Sequence, residues 1–195
     1  MLPATRQEQK EATRERLVNA AMDLFARGGI AQTTTADIAK SIGMSHGNVF
    51  VHFPTREDLV IAVIDEFGRR LATEFRGAFE KELGLRAVLR AHLRVLSELE
   101  PFYARLVTEA PLLPLKVRST LLMLHAGVAR EIFIALEKER KAGRARKFEK
   151  PMIFNTWIGL VHHYIVNRDL FASGDSVMAE RGESLINHFM TLVKA

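Results

Sequence analysis

The chain contains no cysteine in its 195 residues. That excludes disulfides, thiolate zinc sites, iron–sulfur clusters and a cysteine nucleophile, and it suits a cytosolic setting. No apolar run reaches the ~18 residues of a membrane-spanning helix. The longest such stretch, residues 152–166, is interrupted by Asn155, Thr156, His162 and His163. The first sixteen residues, MLPATRQEQKEATRER, are polar and lack the apolar core of a signal peptide. There is no glycine-rich phosphate loop, no nucleophile elbow and no HExxH. Glu98 and Glu100 read as surface charges rather than a general acid–base pair, so no enzymatic activity is expected. Internal repeats, low-complexity tracts and strand-like alternation are missing too.

What is present is ordinary for a folded chain: 48% hydrophobic and 26% charged residues, a balance that argues against disorder. The formal net charge of +5 leans toward a polyanionic partner. Glycine and proline act as punctuation between helical patterns. Leu17, Ala20, Ala21, Leu24 and Phe25 share one face of a helix over about residues 6–27, and Gly28-Gly29 ends it. Thr34 and Asp37 form a capping box that opens a second helix running to about Ile42. Gly43 supplies a turn, Ser45 caps a third helix over 46–51, and His52-Phe53-Pro54 interrupts it. Thr55 then caps a long helix in which Val60, Ile64, Phe67, Leu71, Phe75 and Phe79 recur every three or four residues. Further helices are predicted over 85–99, 115–141, 151–171 and 175–193, with prolines dividing the region between 99 and 115.

Two short helices around a tight turn form a helix-turn-helix, whose second helix enters a DNA major groove. Here that reading helix is residues 45–51. Gly47 permits close approach, while His46 and Asn48 can bond base edges. Ser45 and the helix N-terminus favour phosphate. Thr34 and Thr35 can donate to phosphate in the same way. Ile38, Ala39, Ile42 and Val49 form the packing between the helices. Thr35, His46, Asn48, His52 and Arg56 are expected to be exposed.

Leu17, Ala20, Ala21, Leu24, Phe25 and Gly29, then TTTADIAKSIGMS, then GNVFVHFPTREDL, resemble the DNA-binding region of the TetR family of bacterial repressors over about residues 12–60. Two positions depart from the family pattern: Phe50 stands where tyrosine is usual, and Arg56 where lysine is usual. The resemblance implies that Phe50 touches sugar or a thymine methyl, and that His52 and Arg56 contact the DNA backbone. It also implies an all-α architecture of about nine helices: a DNA-binding domain over 6–55 and an effector-binding and dimerisation domain over 56–195. A homodimer would form through the last two helices, with Ile153, Trp157, Leu160, Val161, Tyr164, Leu185, Phe189 and Leu192 as the interface stripes. The cytoplasmic dimer would bind a pseudo-palindromic double-stranded operator. A small, largely apolar ligand would bind among Phe75, Phe79, Phe102, Tyr103, Leu106, Leu122, His125 and Trp157 and release the DNA. The rival readings are a DNA-binding dimer with no small-molecule effector and a helical enzyme that has acquired a helix-turn-helix.

No cofactor is expected, and no metal. His162 and His163 are adjacent and so point about 100° apart, and no carboxylate lies three or four residues after them or after His125. Residues 138–150 carry seven cations against two acids and read as a solvated, mobile connector.

Overall fold

In the computed structural model, residues 5–80 and 84–195 are described, and they are all-helical. The order is α1 (Arg6–Gly28), α2 (Thr35–Ser41), α3 (His46–His52), α4 (Arg56–Glu80), α5 (Gly84–Glu98), α6 (Glu100–Glu109), α7 (Leu115–Lys141), α8 (Lys150–Val166), α9 (Arg168–Phe171) and α10 (Val177–Val193), with a 3₁₀ turn at Ala110–Leu112 after α6. The predicted helix over 151–171 is two helices, broken at Asn167.

The first three helices pack Leu17, Ala21, Phe25, Ile38, Ala39 and Val49 into a small core. α2 and α3 have seven residues each, too short to persist alone in water, so caps and packing must hold them. Three capping boxes occur in this region: Thr5 with Glu8, Thr34 with Asp37, and Thr55 with Asp58. Ser45 occupies the N-cap position of α3, but its hydroxyl makes no cap bond, contrary to expectation. Gly43 turns the chain with φ 69°, a left-handed conformation that glycine adopts without a Cβ clash.

α4 belongs to both halves of the molecule, packing on α1 and also on α5 and α7. The larger core runs through α4, α5, α6, α7, α8 and α10. Trp157, Val161, Leu185, Phe189 and Ile153 are buried inside the single chain, which corrects their assignment to an interface stripe. Leu160, Tyr164 and Leu192 are half-buried against the same core. The uncharged outward face of α8 is instead Met152, Asn155, Thr156, Gly159 and His163, flanked on α10 by Ser184, His188 and Thr191.

Among the described helices, α7 is long and apolar enough to cross a membrane by length and composition, which no single uninterrupted run had suggested. It is also apolar on its outer face: Leu115, Leu122 and Met123 are largely exposed, while Val117, Leu121, Val128 and Ile132 face the core. The basic connector is tied down rather than loose. Ala145 pairs with Lys194 in an isolated bridge, Arg144 binds Glu139 at 2.6 Å, and Lys138 lies over the Phe79 ring.

Candidate nucleic-acid interface

α3 presents Gly47, Asn48 and Val51 outward, with Val49 fully buried beneath them. A Cβ at Gly47 would meet nothing within 4 Å, so the glycine answers no packing need within the chain. Phe50 is 42% exposed, its ring edge-on to His46 at 5.1 Å. His52 is half-buried, and its Nδ1 is enclosed without a hydrogen-bond partner.

Several expected contacts turn out to be engaged within the protein. Thr35 is buried, not exposed, and its hydroxyl lies 2.8 Å from His46 Nε2. That bond joins the start of α2 to the start of α3 and fixes the His46 ring. The Thr34 hydroxyl donates to Asp37 Oδ2 at 2.6 Å while accepting from the Asp37 amide. The hydroxyl bond, together with the Thr34 amide donating to Asp37 Oδ2 at 3.0 Å, holds the Asp37 carboxyl below the usual carboxylate range. Arg56 is half-buried and donates to the Ile30 carbonyl and, at 3.2 Å, to the Thr33 carbonyl. It therefore staples the start of α4 to the α1–α2 loop, and is not a free backbone cation. Ser45, His46, Gly47, Asn48 and Phe50 remain exposed. Sequence reasoning missed the inward pull on Thr35 and Arg56, because both effects come from chain brought back by the fold.

The same loop meets the larger half. Glu109, at the end of α6, accepts from the Ala31 amide at 2.7 Å. Gly29 beside it has φ 86°, and a Cβ there would sit 2.6 Å from Glu109 Oε1. The positive φ favours glycine here, and a Cβ would push the Glu109 carboxylate aside. Lys116, at the start of α7, bonds Asp58 Oδ1 at 2.7 Å, and with Thr55 it holds the Asp58 carboxyl below the usual range. Arg14 lies over the Phe53 ring at 4.9 Å, so the segment 52–54 is gripped from α1 as well.

Within the larger half, the residues expected to line a ligand site do not converge. A groove of about 500 Å³ between α4 and α7 takes in Phe75, Phe79, Leu124 and Val128, with Arg76 and Arg130 among its lining residues. Leu122 is 67% exposed and lies outside it. Phe102, Tyr103, Leu106 and Trp157 are buried in the core. There the Tyr103 hydroxyl bonds His162 Nε2 at 2.8 Å and His125 Nε2 at 3.1 Å. Trp157 donates to His92 Nδ1 at 3.1 Å. Burial lowers the His162 pKa to about 4 and that of His92 to about 3, and it lowers His125 as well. Among the described residues no group of three or more His, Cys, Asp or Glu could hold a metal ion. Glu100 is also internal, correcting the surface reading. It is fully buried and accepts from Ser176 Oγ, the Val177 amide and the Met178 amide at 2.7–3.0 Å, capping α10 from α6.

A short, outward-facing second helix tied by the Thr35–His46 bond and buried Val49 onto a three-helix core, joined to a larger helical body through one shared helix, defines the class: a helix-turn-helix protein with an all-α second domain. Residues 17–63 match the family described as bacterial regulatory proteins, tetR family. Over those residues the chain resembles the DNA-binding region of that family. It is 38% identical over 99 residues to the HTH-type transcriptional repressor Rv3405c of Mycobacterium tuberculosis, covering 49% of this chain and 52% of the relative. The chain thus spans about half the length of the curated relatives it matches first. In solved structures its fold is similar to a TetR-family transcriptional regulator from Agrobacterium tumefaciens, with TM-score 0.78, 20% identity and coverage of 95% of this chain and 100% of that one. It is also similar to a putative transcriptional regulator from Saccharomonospora viridis in complex with choline, with TM-score 0.75, 17% identity and coverage of 95% and 99%.

Proposed function

We propose that the chain is a cytoplasmic transcriptional repressor. It would bind a pseudo-palindromic operator as a homodimer and leave it when a small molecule occupies the larger domain. The observation that carries this reading is α3. Gly47, Asn48 and Val51 face outward, while Thr35, through His46, and Arg56 are spent on fixing the position of the helix. Asn48 suits a bidentate contact to adenine. Gly47 lets the helix approach base edges. Ser45, whose hydroxyl is not used as a cap, is placed for phosphate, and Phe50 for sugar or a thymine methyl.

Two copies would place their reading helices about 34–36 Å apart, one turn of DNA. The uncharged outward face of α8, with Ser184, His188 and Thr191 of α10 beside it, supports a four-helix dimer contact, in place of the stripes that the core absorbs. The domains divide functionally at about residues 55–56, although α4 runs through both.

The linkage between the halves supports ligand control. A molecule wedged between α4 and α7, in the groove containing Phe75 and Phe79, would press on the two helices that Lys116 and Asp58 join. It would also shift α6, whose Glu109 holds the α1–α2 loop. Either movement changes where α3 sits relative to the dimer axis. A ligand preferring the displaced state releases DNA by as much as its differential affinity allows. That a fold neighbour binds choline supports a small-molecule effector in general. The apolar floor of this groove supports a largely apolar one.

Selection of binding sites from a random duplex pool tests the reading. An enriched inverted repeat with half-site centres one helical turn apart is the expected result, and recovery of no sequence preference would sink it. For the effector step, a library of small apolar compounds is screened by thermal shift. Hits should lower affinity for the selected duplex, and a saturating hit that leaves that affinity unchanged argues for the DNA-binding dimer without a ligand.

A further inference from the structure

A groove between α1 and α3 points to a second hold on DNA, outside the reading helix. One wall is formed by Arg6, Lys10 and Arg16 of α1, and the other by Asn48, Val51 and His52 of α3. Its volume is about 720 Å³, and no carboxylate lines it. The lack of acid is a matter of helical register. Arg6, Lys10 and Arg14 recur every four residues and share a side of α1. Glu8, Glu11 and Glu15, spaced by three and four, share another. Arg6 and Lys10 keep to the groove side, whereas Arg14 shares a separate surface hollow with Glu11 and Glu15.

The three cations of the basic face and Arg16 are not equivalent. Arg14 is committed to the Phe53 ring. Arg16 donates to the Ile42 carbonyl at 3.2 Å, closing the end of the groove and holding the helix-turn-helix turn. Arg6 and Lys10 are exposed, and no ion pair among the described residues engages either. They stand about 6 Å apart along the helix axis, at 1.5 Å per residue, beside the residue best suited to read a base.

We infer that Arg6 and Lys10 hold phosphates of the duplex strand flanking the half-site that α3 reads, with the α1–α3 groove straddling that backbone. This rests on the DNA-binding reading and extends it. The contact would be sequence-independent, adding affinity and fixing the angle at which α3 enters the major groove. Lysine and arginine at such positions displace condensed counterions, so their work is written in the salt dependence of binding.

The test measures the affinity of the full chain for a random-sequence duplex and for a duplex selected by the wild type, over a range of salt. Arg6→Ala/Lys10→Ala should weaken both by on the order of tenfold at physiological salt and reduce the slope of log K against log salt by about 2. Glu11→Gln, on the acidic face, also changes net charge and should leave the slope alone. Ethylation interference on the selected duplex should show phosphates outside the half-site that matter to the wild type and not to the double variant. An unchanged slope in the double variant overturns the inference. So does a shift of similar size in Glu11→Gln, which would mean that bulk charge alone is sensed. If the wild type binds no duplex with salt dependence, the regulator reading falls with it. If the wild type binds and the double variant matches it, only the α1 contact is lost.

Discussion

The two halves of this molecule solve opposite problems with polar side chains. In the first, short helices are held by groups at their ends: three Thr-x-x-acid capping boxes, the Thr35–His46 bond and the Arg56 staple. In the second, long helices bury polar groups along their lengths: Glu100 against α10, His92 against Trp157, and Tyr103 between His125 and His162. End-capping leaves the outward face of α3 uncommitted, which a reading surface needs. Cross-helix bonding in the interior makes the second half sensitive to anything that disturbs those groups, which a responsive domain needs.

The largest effect expected from this contrast is at Glu100. Glu100→Ala removes the acceptor for three donors at the buried start of α10 and should cost about 3 kcal/mol of stability in chemical denaturation, in the range seen when a buried polar partner is lost. A loss no larger than that of an exposed substitution would show that the interior polar groups are incidental. Arg56→Ala comes next. Because Arg56 serves two loop carbonyls, it should cost about 1–2 kcal/mol of stability and weaken DNA binding without changing the salt slope. A slope lowered by about 1 would return Arg56 to the phosphate backbone. Asn48→Ala sharpens the contrast from the other side. It should leave the melting temperature in place, weaken specific binding by about 1–3 kcal/mol and relax one base position. Equal losses on selected and random DNA would count against base reading.

Acid should act on the second half first. The folded-state pKa of His162, about 4, lies below its ordinary 6.5, and that of His92, about 3, lies lower still. The unfolded chain therefore takes up these protons first, so the stability they contribute is complete above about pH 6.5 and drains away as the pH falls toward 4. Melting temperature should decline over that window, and His125→Gln/His162→Gln should flatten the decline. A flat profile in the wild type would show that these histidines are solvated. The smallest effect is at Lys116. Lys116→Ala removes an exposed pair with Asp58 and should change stability by under about 1 kcal/mol, yet it should reduce how far an effector weakens DNA binding.

Local spacing made the first half legible. Thr34 and Asp37 are three residues apart and belong to one turn, so the capping box and the start of α2 could be read directly. The fate of Thr35 could not, because its partner His46 lies eleven residues away, across a turn whose angle only the fold sets. α8 and α7 were hard for a different reason. Both are apolar on nearly every side, so periodicity names no inward face. Trp157 on α8 thus reads as outward when it is core, and Leu122 on α7 as inward when it is exposed. The polar core escaped as well, since Tyr103, His125 and His162 come from three helices.

The fit of Glu109 over Gly29 has a consequence for grafting. A hybrid joining this reading head to a foreign sensor would be cut just after residue 58. Such a cut discards Glu109 and Lys116, leaving the Ala31 amide and Asp58 facing whatever the new body supplies. The transferable unit is therefore not a contiguous segment. It is residues 5–58 together with an acid and a base borrowed from helices far along the chain, and hybrids that keep both contacts should stay switchable where a simple fusion binds DNA without responding.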